Sequence, residues 1–108
     1  MKKGLLYACG MMALSSISFG QEVTFEKAGT FQAQGGFDEA GTEIIAFDQN
    51  TKTLFSTNGG LNQIDLINLA DPSNPVLIKS IDLSAYGGGI NSVATNGTIV
   101  AAAIQADV

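Results

Sequence analysis

The stretch NQIDLINLADPSNPVLIKSIDL, Asn62 to Leu83, decides the fold. Two hydrophobic runs flank a connector that carries two prolines. Neither Pro72 nor Pro75 can donate to a β-ladder, so a single strand through both is excluded. Asp71, just ahead of Pro72, favours a turn because its carboxylate accepts from the backbone amides that follow it. Pro75 suits the start of the next strand, where a missing N–H costs least. The connector therefore reverses the chain. The run VLIKSIDL (76–83) returns beside LNQIDLINL (61–69) at a sheet edge, where prolines also discourage edge-to-edge aggregation. In the earlier run Ile64 and Leu66 share one face, and Asp65 and Ile67 share the other.

Working back from that stretch, TEIIAFD (42–48) is rich in strand formers, QNTK (49–52) is a polar turn, and TLFSTN (53–58) is a second strand ended by Gly59 and Gly60. Four strands joined by tight turns make an antiparallel meander. Further back the pattern weakens. Short strands are predicted around Val23 to Phe25 and Thr30 to Ala33, in a segment 21–41 that is either a leader or the first strands of the same domain.

Working forward, Gly87 to Gly89 form a crossing, INSVA (90–94) is a strand, TNG (95–97) a hairpin turn, and TIVAAAIQA (98–106) its partner. This pair repeats the earlier one: Thr53-Leu54-Phe55 and Thr98-Ile99-Val100 open the second strand of each, 45 residues apart. Four-stranded units at a period of about 40–50 residues are the mark of a β-propeller. The expected architecture is all-β, with one blade over 42–83 and half a blade over 90–108. One and a half blades cannot close a ring of about 4–8, so the amino-terminal piece of a longer protein is expected, its lone blade burying one face at best. A self-contained small β-sandwich is the competing fold.

The first twenty residues form a separate object. Lys2 and Lys3 precede the apolar run LLYACGMMALSSI, and Ser18 and Gly20 are small where signal peptidase requires it. A secretory signal over 1–20, cut between Gly20 and Gln21, is expected. The run is too short for a membrane span, which needs about 20 apolar residues. Acylation at Cys9 is opposed by bulky Tyr7 and by an apolar core of five residues between Lys3 and Cys9. After cleavage three lysines face ten acids, a net charge of −7. Such a surface repels nucleic acid and anionic lipid. The mature chain also lacks cysteine, so a packed core and not disulfides must hold it.

GTEIIAFDQNTKTLFSTNG, IDLINLADPSNPVLIKSIDLS and YGGGINSVATNGTIVAAAI resemble successive segments of the choice-of-anchor I domain. The middle one, with DPSNP followed by VLI, is also similar to the LVIVD repeat. The resemblance runs from about Gly35 to Val108. It implies an extracellular propeller of the kind found in bacteria and some animals, with a carboxy-terminal anchor that varies among members and is the expected route of any membrane attachment. Members labelled alkaline phosphatase or mesenchyme-specific cell-surface glycoprotein supply the two functional expectations. The first is a non-catalytic binding or adhesion module for a protein or carbohydrate ligand. The second is the start of a secreted hydrolase whose active site lies in further blades. No catalytic, cofactor-binding or metal-binding residue carries over to these positions, and the residues name no cofactor.

Several residues have two readings. YGGGINS looks like a phosphate cradle, but a P-loop needs Gly-Lys-Ser/Thr opening a helix, and Ile90 and Asn91 follow Gly89. Close backbone packing between blades is the better account. Asn91 and Ser92 could line a central channel; satisfying local backbone groups is the commoner role. Asp38, Glu39 and Glu43 could ligate calcium, yet they lack the Asp-x-Asp-x-Asp-Gly spacing and read as a solvated acidic loop. Asp48 and Asp71 are turn residues. Asn96-Gly97-Thr98 is a glycosylation sequon that the hairpin turn also explains. With no histidine and no mature cysteine, a Ser-His-Asp triad, a cysteine nucleophile and the usual zinc sites cannot be built from this stretch alone.

Overall fold

The computed structural model describes residues 20–35 and 39–107. Residues 1–19 of the expected signal segment, Cys9 among them, and Asp38 lie outside that range. The described residues contain six strands and no helix. Strands β1 (Ile45–Asp48), β2 (Thr53–Asn58), β3 (Gln63–Asn68) and β4 (Val76–Asp82) form one antiparallel sheet in sequence order. Strands β5 (Gly89–Thr95) and β6 (Val100–Gln105) form a second, two-stranded sheet. The proline connector reverses the chain between β3 and β4, and β4 is an edge, as the 62–83 stretch requires.

Register explains which side chains meet. Ala46, Phe55 and Leu66 lie in one row across the sheet, and Ile64 faces the same way. The second sheet covers this inner face, with β5 packed over β1 and β2. Phe55, Ile64, Leu83, Ile90 and Val93 make the buried cluster, flanked by Ala46, Leu66 and Ile104. Each such side chain contributes about 1.5–3 kcal/mol relative to exposure.

A bulge makes the β5 contribution possible. Ile90 pairs with Ile104 and Ser92 with Ala103, so Asn91 is an extra residue in the ladder. Without it, Ile90 and Val93, three positions apart, would point to opposite faces. Asn91 itself is exposed and Ser92 half-buried. A second bulge inserts Ile78 in β4, since Ile67 pairs with Leu77 and Leu66 with Lys79. Together with Pro75 and Lys79 it blunts that edge.

The outer face departs from expectation. A lone blade was expected to bury one face only, yet Ser56, Asn58, Asp65 and Ile67, all on the outer side, are buried as well. The cover is the segment 29–34. It forms no strand, contrary to the prediction for Thr30 to Ala33, but its burial alternates, with Gly29, Phe31 and Ala33 half-buried and Thr30, Gln32 and Gln34 exposed. At one end Gly29 touches the Pro72 carbonyl so closely that a Cβ would clash with it. At the other end the Gln34 carbonyl accepts from Asn58 Nδ2 at 2.7 Å. The segment is thus tied to the sheet through its polar atoms and never joins the ladder. The strand predicted at Val23 to Phe25 is absent; Val23 and Phe25 are 71% and 95% exposed.

The internal repeat also shifts. Residues 49–52 and 96–99 are four-residue connections, and β2 and β6 begin 47 residues apart, not 45. Thr98 and Ile99 belong to the turn and Val100 opens the strand. Matching Thr-Leu-Phe to Thr-Ile-Val aligned similar letters, whereas the turns set the true offset.

Replacing Ile64 by Ala should lower unfolding free energy by about 2–5 kcal/mol, through lost burial and a cavity between the sheets. Val76→Ala, on the half-exposed β4 edge, should stay within about 0.5 kcal/mol. Denaturant melts of the two variants check this; equal effects would contradict the two-sheet core.

Candidate functional site

Four acids organise the polar chemistry of the described residues. Asp65 lies in the middle of β3 on the outer face and is 1% exposed. Ser56 is its register partner on β2 and Ser80 its partner on β4. Ser80 Oγ donates to Asp65 Oδ1 at 2.6 Å and Gln63 Nε2 donates to the same oxygen at 2.7 Å. Asn58 Nδ2 donates to Oδ2 at 3.1 Å. All three donors are neutral. A buried carboxylate without a cation is costly unless hydrogen bonds replace its hydration, and this one is fully surrounded by donors.

Asn58 links this carboxylate to the covering segment. The amide nitrogen bound to Asp65 also donates to the Gln34 carbonyl, and Asn58 Oδ1 accepts from Leu61 N at 3.2 Å. The sequence pattern places Asp65 on a face with Ile67 and Asn58 at the end of the second strand, and assigns neither a partner. The available signal was Asp65 between Ile64 and Leu66, an acid in an apolar strand with a second face that had to be either solvent or a polar interior. Choosing between those needed the position of residues 29–34.

The other acids shape turns. Asp48 Oδ1 accepts from Asn50 N at 3.0 Å, and Oδ2 accepts from the Thr51 amide at 3.3 Å and from the Thr51 hydroxyl. Asp71 and Asp82 each accept from the amide and hydroxyl of the serine two residues on, Ser73 and Ser84. Asp48 and Asp71 are therefore the turn residues the sequence indicated. These bonds hold all three carboxyls below their ordinary 3.8, the serine or threonine hydroxyl being the largest cause, then the backbone amides.

The glycine crossing is a packing device at its first position. Gly87 is buried, and a Cβ there would meet the Gln105 carbonyl and the Ile104 side chain. Gly88 N donates to the Gln105 carbonyl at 2.9 Å, and Asn62 Nδ2 donates to the Gly87 carbonyl at 2.7 Å. Asn62 holds a left-handed backbone (φ 49°), which asparagine tolerates better than most residues. It fastens the β2–β3 turn of the first sheet to the approach of the second.

The remaining candidates stay apart. Glu39 and Glu43 are exposed, and among the described residues no group of three or more Asp, Glu, Cys or His side chains gathers to hold a metal ion. A shallow depression of about 310 Å³ on the outer side of the β5–β6 hairpin is lined by Ala94, Thr95, Asn96, Ile99 and Ala101. It offers an apolar floor with a polar rim at the turn.

The all-β arrangement of a four-stranded antiparallel meander stacked on a two-stranded antiparallel sheet is that of a β-propeller fragment. The choice-of-anchor I domain model matches residues 43–108, well over half of the chain, and the chain belongs to that family. Curated proteins and solved structures gave no match. Family membership marks the chain as part of an extracellular or cell-surface module.

Two measurements probe these acids. Asp65→Ala takes the acceptor from half-buried Ser80 and Gln63 and one of two from buried Asn58, and should cost about 3 kcal/mol, whereas Asp71→Ala at an exposed turn should cost under about 1 kcal/mol. Denaturant titration compares them. The turn acids predict a pH dependence. A carboxyl held lower in the folded chain than in the unfolded one stabilises the fold fully above 3.8 and loses that contribution as pH falls through the lowered value. Melting temperature should therefore drop below about pH 4, and less steeply in Asp48→Asn.

Proposed function

We propose that this chain is exported through an amino-terminal signal and contributes to a non-catalytic surface module whose propeller loops bind a protein or carbohydrate ligand. The observation that carries this reading is the choice-of-anchor I match over 43–108 on the stacked-sheet fold. Two further features support it. The acids Asp48, Asp65, Asp71 and Asp82 are engaged by neighbouring donors in turns and in the outer-face network, so their chemistry goes into shaping the blade. The acidic surface left after removal of Lys2 and Lys3 favours a ligand other than nucleic acid or anionic lipid.

Production in a secreting bacterial host, followed by intact-mass measurement, should give a mature chain that begins at Gln21. The same material should bind saturably to members of an immobilised panel of glycans and extracellular-matrix proteins. It should not hydrolyse a chromogenic phosphomonoester supplied with divalent cations. Turnover that a chelator abolishes would replace the binding module by a hydrolase. Retention of residues 1–20 in the cytosol would remove the surface assignment.

A further inference from the structure

We propose that Asn96 is a site of spontaneous covalent modification, its side-chain amide passing through a cyclic imide with Gly97 to aspartate and isoaspartate, while the fold holds the chain's other Asn-Gly pair inert. The chain has two such pairs, Asn58-Gly59 and Asn96-Gly97. Glycine leaves the following backbone nitrogen unhindered, and that nitrogen is the nucleophile. It loses its proton to hydroxide and attacks Cγ of the asparagine. The Cγ–Nδ2 bond breaks and ammonia departs. Water then opens the five-membered imide at either carbonyl, giving the α-linked or the β-linked acid. The balance is one water consumed and one ammonia released, with no oxidation.

The two pairs differ above all in burial and in the acceptor that the glycine N–H meets, a backbone carbonyl at one and a threonine hydroxyl at the other. Asn58 is 0% exposed and lies in β2. Its Nδ2 is bound to the Gln34 carbonyl and Asp65, its Oδ1 accepts from Leu61 N, and the would-be nucleophile, Gly59 N, donates to the Ala40 carbonyl at 2.9 Å. Attack there requires the strand and its covering segment to open first. Asn96 is exposed in the β5–β6 turn. Its Oδ1 accepts from Thr98 N at 3.0 Å and Ile99 N at 2.9 Å, which draws electron density from Cγ and keeps the side chain folded over its own backbone. Gly97 sits at φ 88°, and its N–H donates to Thr95 Oγ1 at 3.1 Å, a bond at the exposed surface of the turn.

The location gives the change a consequence. Gly97 lies against the first hairpin: a Cβ built on it would stand 3.2 Å from Asp48 Oδ1 and 3.5 Å from Asn50 Nδ2. A new carboxylate at position 96 adds negative charge beside Asp48, and a β-linked residue lengthens a four-residue turn. Both loosen the contact between the tips of the two sheets.

The test is peptide mapping of the whole purified chain after incubation in warm, mildly alkaline buffer, with fragmentation that separates isoaspartate from aspartate. A parallel sample is held in denaturant. In the folded sample the Asn96 peptide should convert at least about tenfold faster than the Asn58 peptide, and in denaturant the two rates should converge. Equal conversion of both in the folded protein would overturn the proposal. So would an Asn96 amide that survives folded incubation while the denatured sample loses it.

Discussion

The burial of Phe55 and Ile64 beneath Ile90 and Val93 is the constraint on which the rest of the structure depends. A four-stranded sheet with an apolar inner face cannot leave that face in water, and the partner it finds is the next hairpin of the same chain. To supply two adjacent inward side chains, β5 takes a bulge at Asn91. To bring β5 over β1 and β2, the chain crosses through Gly87, where a side chain would collide with the end of β6. Asn62 then ties the first sheet's turn to that crossing. Each of these local departures from ideal strand geometry exists to serve one apolar contact.

The outer face obeys a different rule. It mixes Ile67 with Ser56, Asp65 and Asn58, so it can be buried only by something that satisfies polar groups as well as covering apolar ones. The 29–34 segment does both, half-burying Phe31 and Ala33 and giving a carbonyl to Asn58. Because Asn58 also bonds Asp65, the cover and the carboxylate share one amide group, and their stabilities are coupled. This segment lies on the face of the four-stranded sheet opposite the two-stranded one, which gives it a structural role and not merely a connecting one.

Much of the meander was legible because its signals are local. Prolines 72 and 75, the glycine pair 59–60 and the alternation in 61–69 each act within a few residues, and β2 appears at the residues read from TLFSTN. Asp48 and Asp71 were legible as turn formers for the same reason, since their hydrogen bonds reach only two or three residues along the chain. The repeat is legible but its phase differs by two residues, because letter similarity between Thr53 and Thr98 does not record where a turn ends. Residues 30–33 form no strand, because alternation alone fits a segment whether or not it joins a ladder. The Asp65 network went unseen. An acid flanked by isoleucine and leucine looks like an ordinary solvent-facing position until the second face is known to be covered.

What the sequence determined alone was the strands from residue 45 onward, their order, the edge position of β4 and the family, all of which follow from short-range patterning and characteristic local motifs. Tertiary structure alone decided which faces are buried, that Asp65 is an interior carboxylate, and that one Asn-Gly pair is locked while the other is open to water. The physical reason is range. Backbone preference is written into neighbouring residues, whereas desolvation depends on groups far along the chain, such as Gln34 and Asn58, 24 residues apart, meeting at one hydrogen bond.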